Sequence, residues 1–409
     1  MNRFLAHIGV YLLMFSSITI ISADNWPGWR GPTGQGVTSE TNLPVNWSTS
    51  ENVVWQIPLK GAGVSTPVVW GDHIFLTASD GRLNDQLHIY AYHRKDGRQL
   101  WHTELFGTAP TNLYPPGGMA VPTPITDGKF LYTLFGTGDL ACLDFDGRPV
   151  WIRSLSQDYG KFKNRWGMGC SPILVDDKLI VQVDHWGQSY LLAVNAKTGK
   201  NVWKTNREAH VNWTSPVAIK VNGKTQIVTV GTEKVHGYDA KTGKHLWTVG
   251  GVYQQCVASP VVCGKLLLIG SSLSSMAIKL DGKTGDLTDT HVVWKNERAQ
   301  AYVPTPLCYR DRFYIAGSGG IVTCLSGKTG DVLWKARVGG QFHSSPVGGD
   351  GKVYFVNKSG IVTVIKAGDK YQRLAGNDMG ELIVATPAIS NGQIFLRGER
   401  HLFCIGRKK

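Results

Sequence analysis

Residues of the types that line binding pockets recur just ahead of a Ser-Pro or Thr-Pro pair in this chain. Asn112 and Tyr114 precede Thr123-Pro124, and Arg165, Trp166 and Met168 precede Ser171-Pro172. His210, Asn212 and Trp213 precede Ser215-Pro216, and Tyr253, Gln254 and Gln255 precede Ser259-Pro260. Gln300 and Tyr302 come before Thr305-Pro306, then Gln341, Phe342 and His343 before Ser345-Pro346. Aromatics supply stacking surface, and amides, histidines and one arginine supply directed hydrogen bonds, the mix that holds a polar ligand. If the fold gathers them, Arg165, Trp166, His210, Asn212, Trp213, Gln254, Gln255, Gln300, Tyr302 and His343 are the candidate pocket. The same side chains could instead plug a channel and satisfy one another.

Other chemistry is harder to find. The acids of these segments, Glu104, Asp158, Glu208, Glu297 and Glu381, form no recognisable metal cluster. No Gly-x-Ser-x-Gly elbow, His-Glu-x-x-His, phosphate-binding loop or dinucleotide fingerprint occurs. The sequence nominates no catalytic residue and no metal ligand. The net charge of +13 raises the question of polyanions. Many lysines fall in repeated turns, however, such as Lys197, Lys200, Lys241, Lys244, Lys283 and Lys328. The repeat would scatter those around a rim rather than build a groove, so no nucleic-acid partner is expected.

The elements that must position these residues follow from the pairs themselves. They number eight, beginning with Thr66-Pro67 and ending with Thr386-Pro387, and from Ser171 onward they recur every 40–46 residues. A repeat of that length marks a propeller or a solenoid. Within one unit, Ser215-Pro216 opens an apolar run, 226–230 is a second run, and His236-Gly237-Tyr238-Asp239 a third. The turn Lys241-Thr242-Gly243-Lys244 then leads into Leu246-Trp247, completing four short strands of an antiparallel meander. Proline at the first strand position removes a ladder donor where the loss is tolerated and holds the preceding residue extended.

The Gly turn and its tryptophan recur at Trp101, Trp151, Trp203, Trp247, Trp294 and Trp334, with extra residues at 287–291 in the fifth copy. In the seventh unit Tyr371 stands where a tryptophan is expected. The eighth unit lacks its outer strand, and residues 53–59, with Trp55, supply one. The expected fold is all-β: an eight-bladed β-propeller of four-stranded antiparallel blades, closed by the N-terminal strand.

Residues 193–203, Ala-Val-Asn-Ala-Lys-Thr-Gly-Lys-Asn-Val-Trp, resemble the tryptophan-docking repeat of propellers of the pyrroloquinoline quinone (PQQ) type. Residues 237–247 and 324–334 resemble it nearly as well, and the opening Trp26-Pro27-Gly28-Trp29-Arg30-Gly31-Pro32 is similar to exported planctomycete members. The resemblance spans about residues 52–406. It implies that the seven tryptophans are structural and that the segments before the Ser/Thr-Pro pairs share the face that carries the quinone in dehydrogenases. It implies two functions. One is a non-catalytic scaffold, as in the propeller of the outer-membrane barrel-assembly machine, with a protein partner in the cell envelope or a small polar ligand. The other is a PQQ-dependent alcohol or sugar dehydrogenase using Ca²⁺. Such dehydrogenases carry adjacent cysteines, acidic and amide Ca²⁺ ligands and a catalytic Asp, and this chain has no adjacent cysteines. The scaffold is therefore the expected function, with no cofactor.

Arg3, the apolar run 8–21 and Ser22-Ala23 have the form of a secretory signal peptide over residues 1–23. Residues 24–51 then form an extension, and 52–409 the propeller. No later run is apolar for long enough to span a bilayer, so an exported, periplasmic or secreted protein is expected. Of seven cysteines, Cys142, Cys324 and Cys404 share one small, buried repeat position. Cys170, Cys256, Cys263 and Cys308 lie near the pairs, where a disulfide is possible but its partners are open.

Overall fold

A computed structural model describes residues 25–109, 115–164, 166–252, 256–317 and 319–407. Eight antiparallel sheets follow one another along the chain. Blade 1 runs outward from Val68–Trp70 through His73–Asp80 and Gln86–His93 to Gln99–Phe106. Blades 2 to 7 begin at Ile125–Thr126, Ile173–Val175, Val217–Val221, Val261–Cys263, Leu307–Tyr309 and Val347–Gly349. Blade 8 takes three strands from the C-terminal end, beginning at Ala388–Ser390, and its outermost strand, Val53–Pro58, from the N-terminal end. Trp55 pairs with Cys404 and Ile57 with Leu402. Closure of this kind leaves no unpaired blade at the seam.

The Ser/Thr-Pro pairs are tied together by one bond used seven times. The backbone N–H of Thr66 donates to the Thr123 hydroxyl, Thr123 N–H to Ser171, and Ser171 N–H to Ser215. The series continues through Ser259, Thr305 and Ser345 to Thr386, with N···O distances of 2.8–3.2 Å. Every link crosses from one blade to the next. Proline fixes each residue extended, so its N–H points sideways at its neighbour, and only a short hydroxyl side chain reaches back.

At the periphery, tryptophans make the second set of cross-blade bonds. The indole N–H of Trp55 donates to the carbonyl of Arg94, Trp101 to Phe145, and Trp151 to Ala196. Trp203, Trp294 and Trp334 donate to Ala240, Gly327 and Gly368. Except for Trp334, each of these rings lies over the glycine of the following blade's turn, so that a Cβ on Gly199 would meet Trp151 at 2.8 Å. Small residues face the rings across the ladder: Ala91 opposite Trp101, Cys142 opposite Trp151, Ala193 opposite Trp203, Cys324 opposite Trp334.

Trp247 departs from this pattern and donates to Oε1 of Gln226 in its own blade. Its partner Gly237 has no Cβ, which would sit 2.1 Å from the indole. The following blade inserts Gly285–Asp286, which pairs in parallel with Trp247 and Thr248 and makes blade 4 five-stranded. Tyr371 does not occupy the tryptophan position expected for it. By register that place belongs to Ala375, opposite Val364, while Tyr371 packs against Trp334 with centroids 5.3 Å apart.

Apolar burial is concentrated between blades, as where Tyr132, Leu134 and Leu140 of blade 2 meet Leu179, Val181 and Leu192 of blade 3. Each such side chain contributes roughly 1.5–3 kcal/mol. Cys263 and Cys308 form a disulfide between the innermost strands of blades 5 and 6. Cys142, Cys170, Cys256, Cys324 and Cys404 are buried thiols. Among the described residues no helix is long and apolar enough to cross a membrane.

Candidate functional site: the mouth of the central channel

In a four-stranded meander, the first and third hairpins lie at one end of the blade and the middle hairpin and inter-blade connection at the other. The propeller thus has a turn face, made of glycine hairpins, and a mouth face, from which the chain dives into each Ser/Thr-Pro pair. Among the described residues the unequal loops rise mostly on the mouth face, the exception being the insertion at 280–291 in the third hairpin of blade 5. Most of the exposed large apolar side chains off the outer strands collect there: Leu83, Trp166, Trp186, Leu273 and Tyr302.

At the centre of this face is a cavity of about 850 Å³. Its wall is aromatic and apolar, with Trp166, Trp213, Tyr302, Phe342, Pro115 and Pro116. Thr66, Thr123, Ser171, Ser215, Thr305, Ser345 and Thr386 also line it. From Thr123 onward, each of these hydroxyls has already accepted a backbone N–H and retains a proton to donate inward. Lys358 and His343 bring nitrogen chemistry to one side. Burial, reinforced by the Lys358 charge, pulls the His343 imidazole down to about 4, so it is neutral at ordinary pH. Neither Asp nor Glu lines the cavity among the described residues.

The floor comes from the N-terminal extension. Trp26 pairs with Val69, and the Pro27 carbonyl accepts from Thr126 N–H, which carries the chain across the turn face and sets Trp29 into the cavity from below. Arg30 follows, 1% exposed, its guanidinium donating to the carbonyls of Pro346, Pro306 and Gln35 at 2.6–2.9 Å. Burial lowers its pKa to about 9, the largest departure an arginine shows here on the acid side. Further on, the Glu40 carboxylate accepts from the N–H groups of Asn391 and Gly392, and Trp47 N–H donates to Asn377. The channel is thus a blind cup, open at the mouth and closed at the turn face. The candidate loop side chains that line the cup leave it open, and what closes the far end is the extension, which was not among the candidates.

Four of the ten candidate residues line the cup: Trp166, Trp213, Tyr302 and His343. Asn212 is buried beside it as a backbone support, its Oδ1 accepting from Cys256 N–H. His210 packs edge-on against Trp186, centroids 4.9 Å apart, and Gln300 points into solvent. Arg165, Gln254 and Gln255 lie outside the described residues, as do Asn112, Tyr114 and Tyr253. Trp29 was missed because it reaches the site from the extension, and Trp186 because it comes from a hairpin within a blade. Of the acids considered, Glu381 is buried against Arg400 and His401, and Asp158 is paired with Arg153.

Three relatives frame this geometry. Tetrathionate hydrolase of Acidithiobacillus ferrooxidans is 26% identical over 66% of this chain and 53% of its own length. Outer membrane protein assembly factor BamB of Shewanella oneidensis is 22% identical over 66% of this chain and 62% of its own. The chain therefore spans little more than half the length of these curated relatives. BamB of Salmonella typhimurium is 21% identical over 61% of this chain and 76% of its own. Among solved structures, BamB from Moraxella catarrhalis superimposes with a TM-score of 0.63 at 14% identity, covering 87% of this chain and 99% of that one. Quinohemoprotein alcohol dehydrogenase from Comamonas testosteroni gives 0.70 at 12% identity over 94% and 81%. Both structural likenesses concern the fold. The family model that matches the repeats, across residues 36–163, 85–303 and 187–408, is that of outer membrane protein assembly factor BamB, and the chain belongs to this family.

Proposed function

We propose that the protein is an exported, non-catalytic propeller whose mouth face binds a protein partner in the cell envelope. The observation that carries this reading is the rim of that face, where the aromatics Trp166, Trp186 and Tyr302 stand exposed with Leu273 around the cup, whereas the exposed apolar side chains of the outer strands, such as Val150, Ile152 and Val202, are mostly aliphatic. Exposed aromatics grouped at the edge of a concave site are the usual anchors of a protein interface. Assembly factors among the relatives support a partner in the envelope. The Cys263–Cys308 bridge suits an oxidising compartment.

The dehydrogenase reading fits less well. A Ca²⁺-bound quinone needs oxygen ligands, carboxylates above all, at the mouth. Among the described residues no carboxylate lines the cup, and no set of three His, Cys, Asp or Glu is placed to hold a metal ion. A small ligand remains a second reading on one observation, the cup of about 850 Å³ itself, whose donors suit a polar guest.

The test is crosslinking in the native envelope followed by affinity capture. We expect one stoichiometric protein partner, lost on combining Trp166→Ala with Tyr302→Ala while the melting temperature holds. Capture that the double substitution leaves intact, or turnover of an alcohol after loading with PQQ and Ca²⁺, overturns the reading.

A further inference from the structure

The turn face has a different chemistry from the mouth. Its hairpins carry Lys197 and Lys200 in blade 3, Lys224, Lys241 and Lys244 in blade 4, and Lys283 in blade 5, all exposed. Among the described residues none of these six is held in an ion pair, whereas their neighbours Lys178 and Lys279 are paired with Asp177 and Asp281. The turns that present them need an acceptor for their own N–H groups. In blade 4 the Asp239 carboxylate accepts from Lys241 and Thr242. In blade 3 Asn195 accepts from Lys197 and Thr198, doing the same work without a charge. The result is an arc of six exposed lysines on three consecutive blades, with Asp177 near enough to Lys197, and Asp239 to Lys224, for those lysines to help hold each carboxyl below its usual range.

The chain also enters the fold at this face. The Asn25 side-chain oxygen accepts from Gly71 N–H in the first hairpin of blade 1. We propose that the turn face, centred on the lysine arc of blades 3 to 5, seats on an anionic phospholipid surface and holds the mouth away from the bilayer. Lysine clusters are drawn to anionic headgroups by about fivefold in partitioning per residue near the surface, an attraction that salt screens. The six arc cations are all lysines, without the arginines and stacking aromatics that nucleic-acid sites interleave. The assignment does not depend on what the mouth binds.

The test is co-sedimentation of the full chain with phosphatidylcholine vesicles containing no phosphatidylglycerol or 30% of it, at low and high salt. We expect a component of binding that needs phosphatidylglycerol and is lost at high salt. It should fall at least about tenfold when Lys197, Lys200, Lys241 and Lys244 are each replaced by Glu. A matched quadruple replacement on the mouth face, Lys60→Glu, Arg82→Glu, Lys234→Glu and Arg298→Glu, should keep it. Should the quadruple arc variant fail to fold, Lys197→Gln with Lys241→Gln serves, with a smaller loss expected. Equal binding to both vesicle types, equal loss in the two quadruple variants, or tighter binding to duplex DNA than to the anionic vesicles at the same salt overturns the proposal.

Discussion

The backbone N–H of Ser171 donates to the hydroxyl of Ser215 at 2.9 Å, across the boundary between blades 3 and 4. Both groups are buried at the cavity wall, and Pro172 prevents the chain from turning the N–H elsewhere. Replacing Ser215 by Ala strands that donor, which costs roughly 1–3 kcal/mol. Ser215→Thr keeps the acceptor and should cost under about 0.5 kcal/mol, the range of a neutral substitution, since Thr serves at Thr123, Thr305 and Thr386. Urea unfolding of the two variants checks this. Equal midpoints would show that the belt does not hold the blades.

Glycine at the hairpin turns is required for two separable reasons. Gly199 and Gly223 both have positive φ, 68° and 78°. A Cβ on Gly223 meets open space, whereas one on Gly199 meets the Trp151 ring at 2.8 Å. Gly223→Ala should therefore cost only the backbone strain of about 1–2 kcal/mol. Gly199→Ala should add roughly 1–3 kcal/mol of overpacking. The additional loss should vanish when Trp151 is also replaced by Ala, which a double-mutant cycle reads directly.

Much of the ring was legible because the demand is periodic. Eight Ser/Thr-Pro pairs recur because seven blade junctions use the same backbone-to-hydroxyl bond, and six of the seven tryptophans bond the following blade, so counting the pairs counts the blades. The cup was only partly legible because its residues stand on loops whose direction no period dictates. His210 and Gln300 sit in the right segments, yet one packs on Trp186 and the other faces water. Trp29 carries no repeat signal at all, since its place is set by Arg30 anchoring to Pro306 and Pro346, nearly three hundred residues away. Tyr371 misled because an aromatic near the expected position was read as the position, while the ladder counts from Val364 to Ala375.

Acid should loosen the protein through the half-buried His236. Burial, with the Arg207 charge beside it, lowers His236 to about 3. In the unfolded chain it titrates near the ordinary 6.5, so below that value the unfolded state binds the extra proton first. Its contribution to stability is complete above about pH 6.5 and is lost progressively as pH falls toward 3. His236→Gln should flatten the fall in urea midpoint between pH 7 and 4.5. An unchanged slope would assign the acid sensitivity to other groups.

The ring depends on its N-terminal strand in a way that separates two deletions. Removing residues 25–51 takes away Trp29, Arg30 and the Trp47 contacts but leaves Val53–Pro58 paired with His401–Ile405. That variant should stay monomeric with a lowered melting temperature and a channel open at both ends, since closure of blade 8 is intact. Removing residues 25–60 also strips the outer strand from blade 8 and exposes the edge of His401–Ile405, including the buried Leu402 and Cys404. A bare, apolar edge pairs with whatever strand is available. This variant should unfold or oligomerise, as read by sedimentation velocity and thermal melting. A monomer with the melting temperature of the shorter deletion would show that the N-terminal strand does not close the propeller.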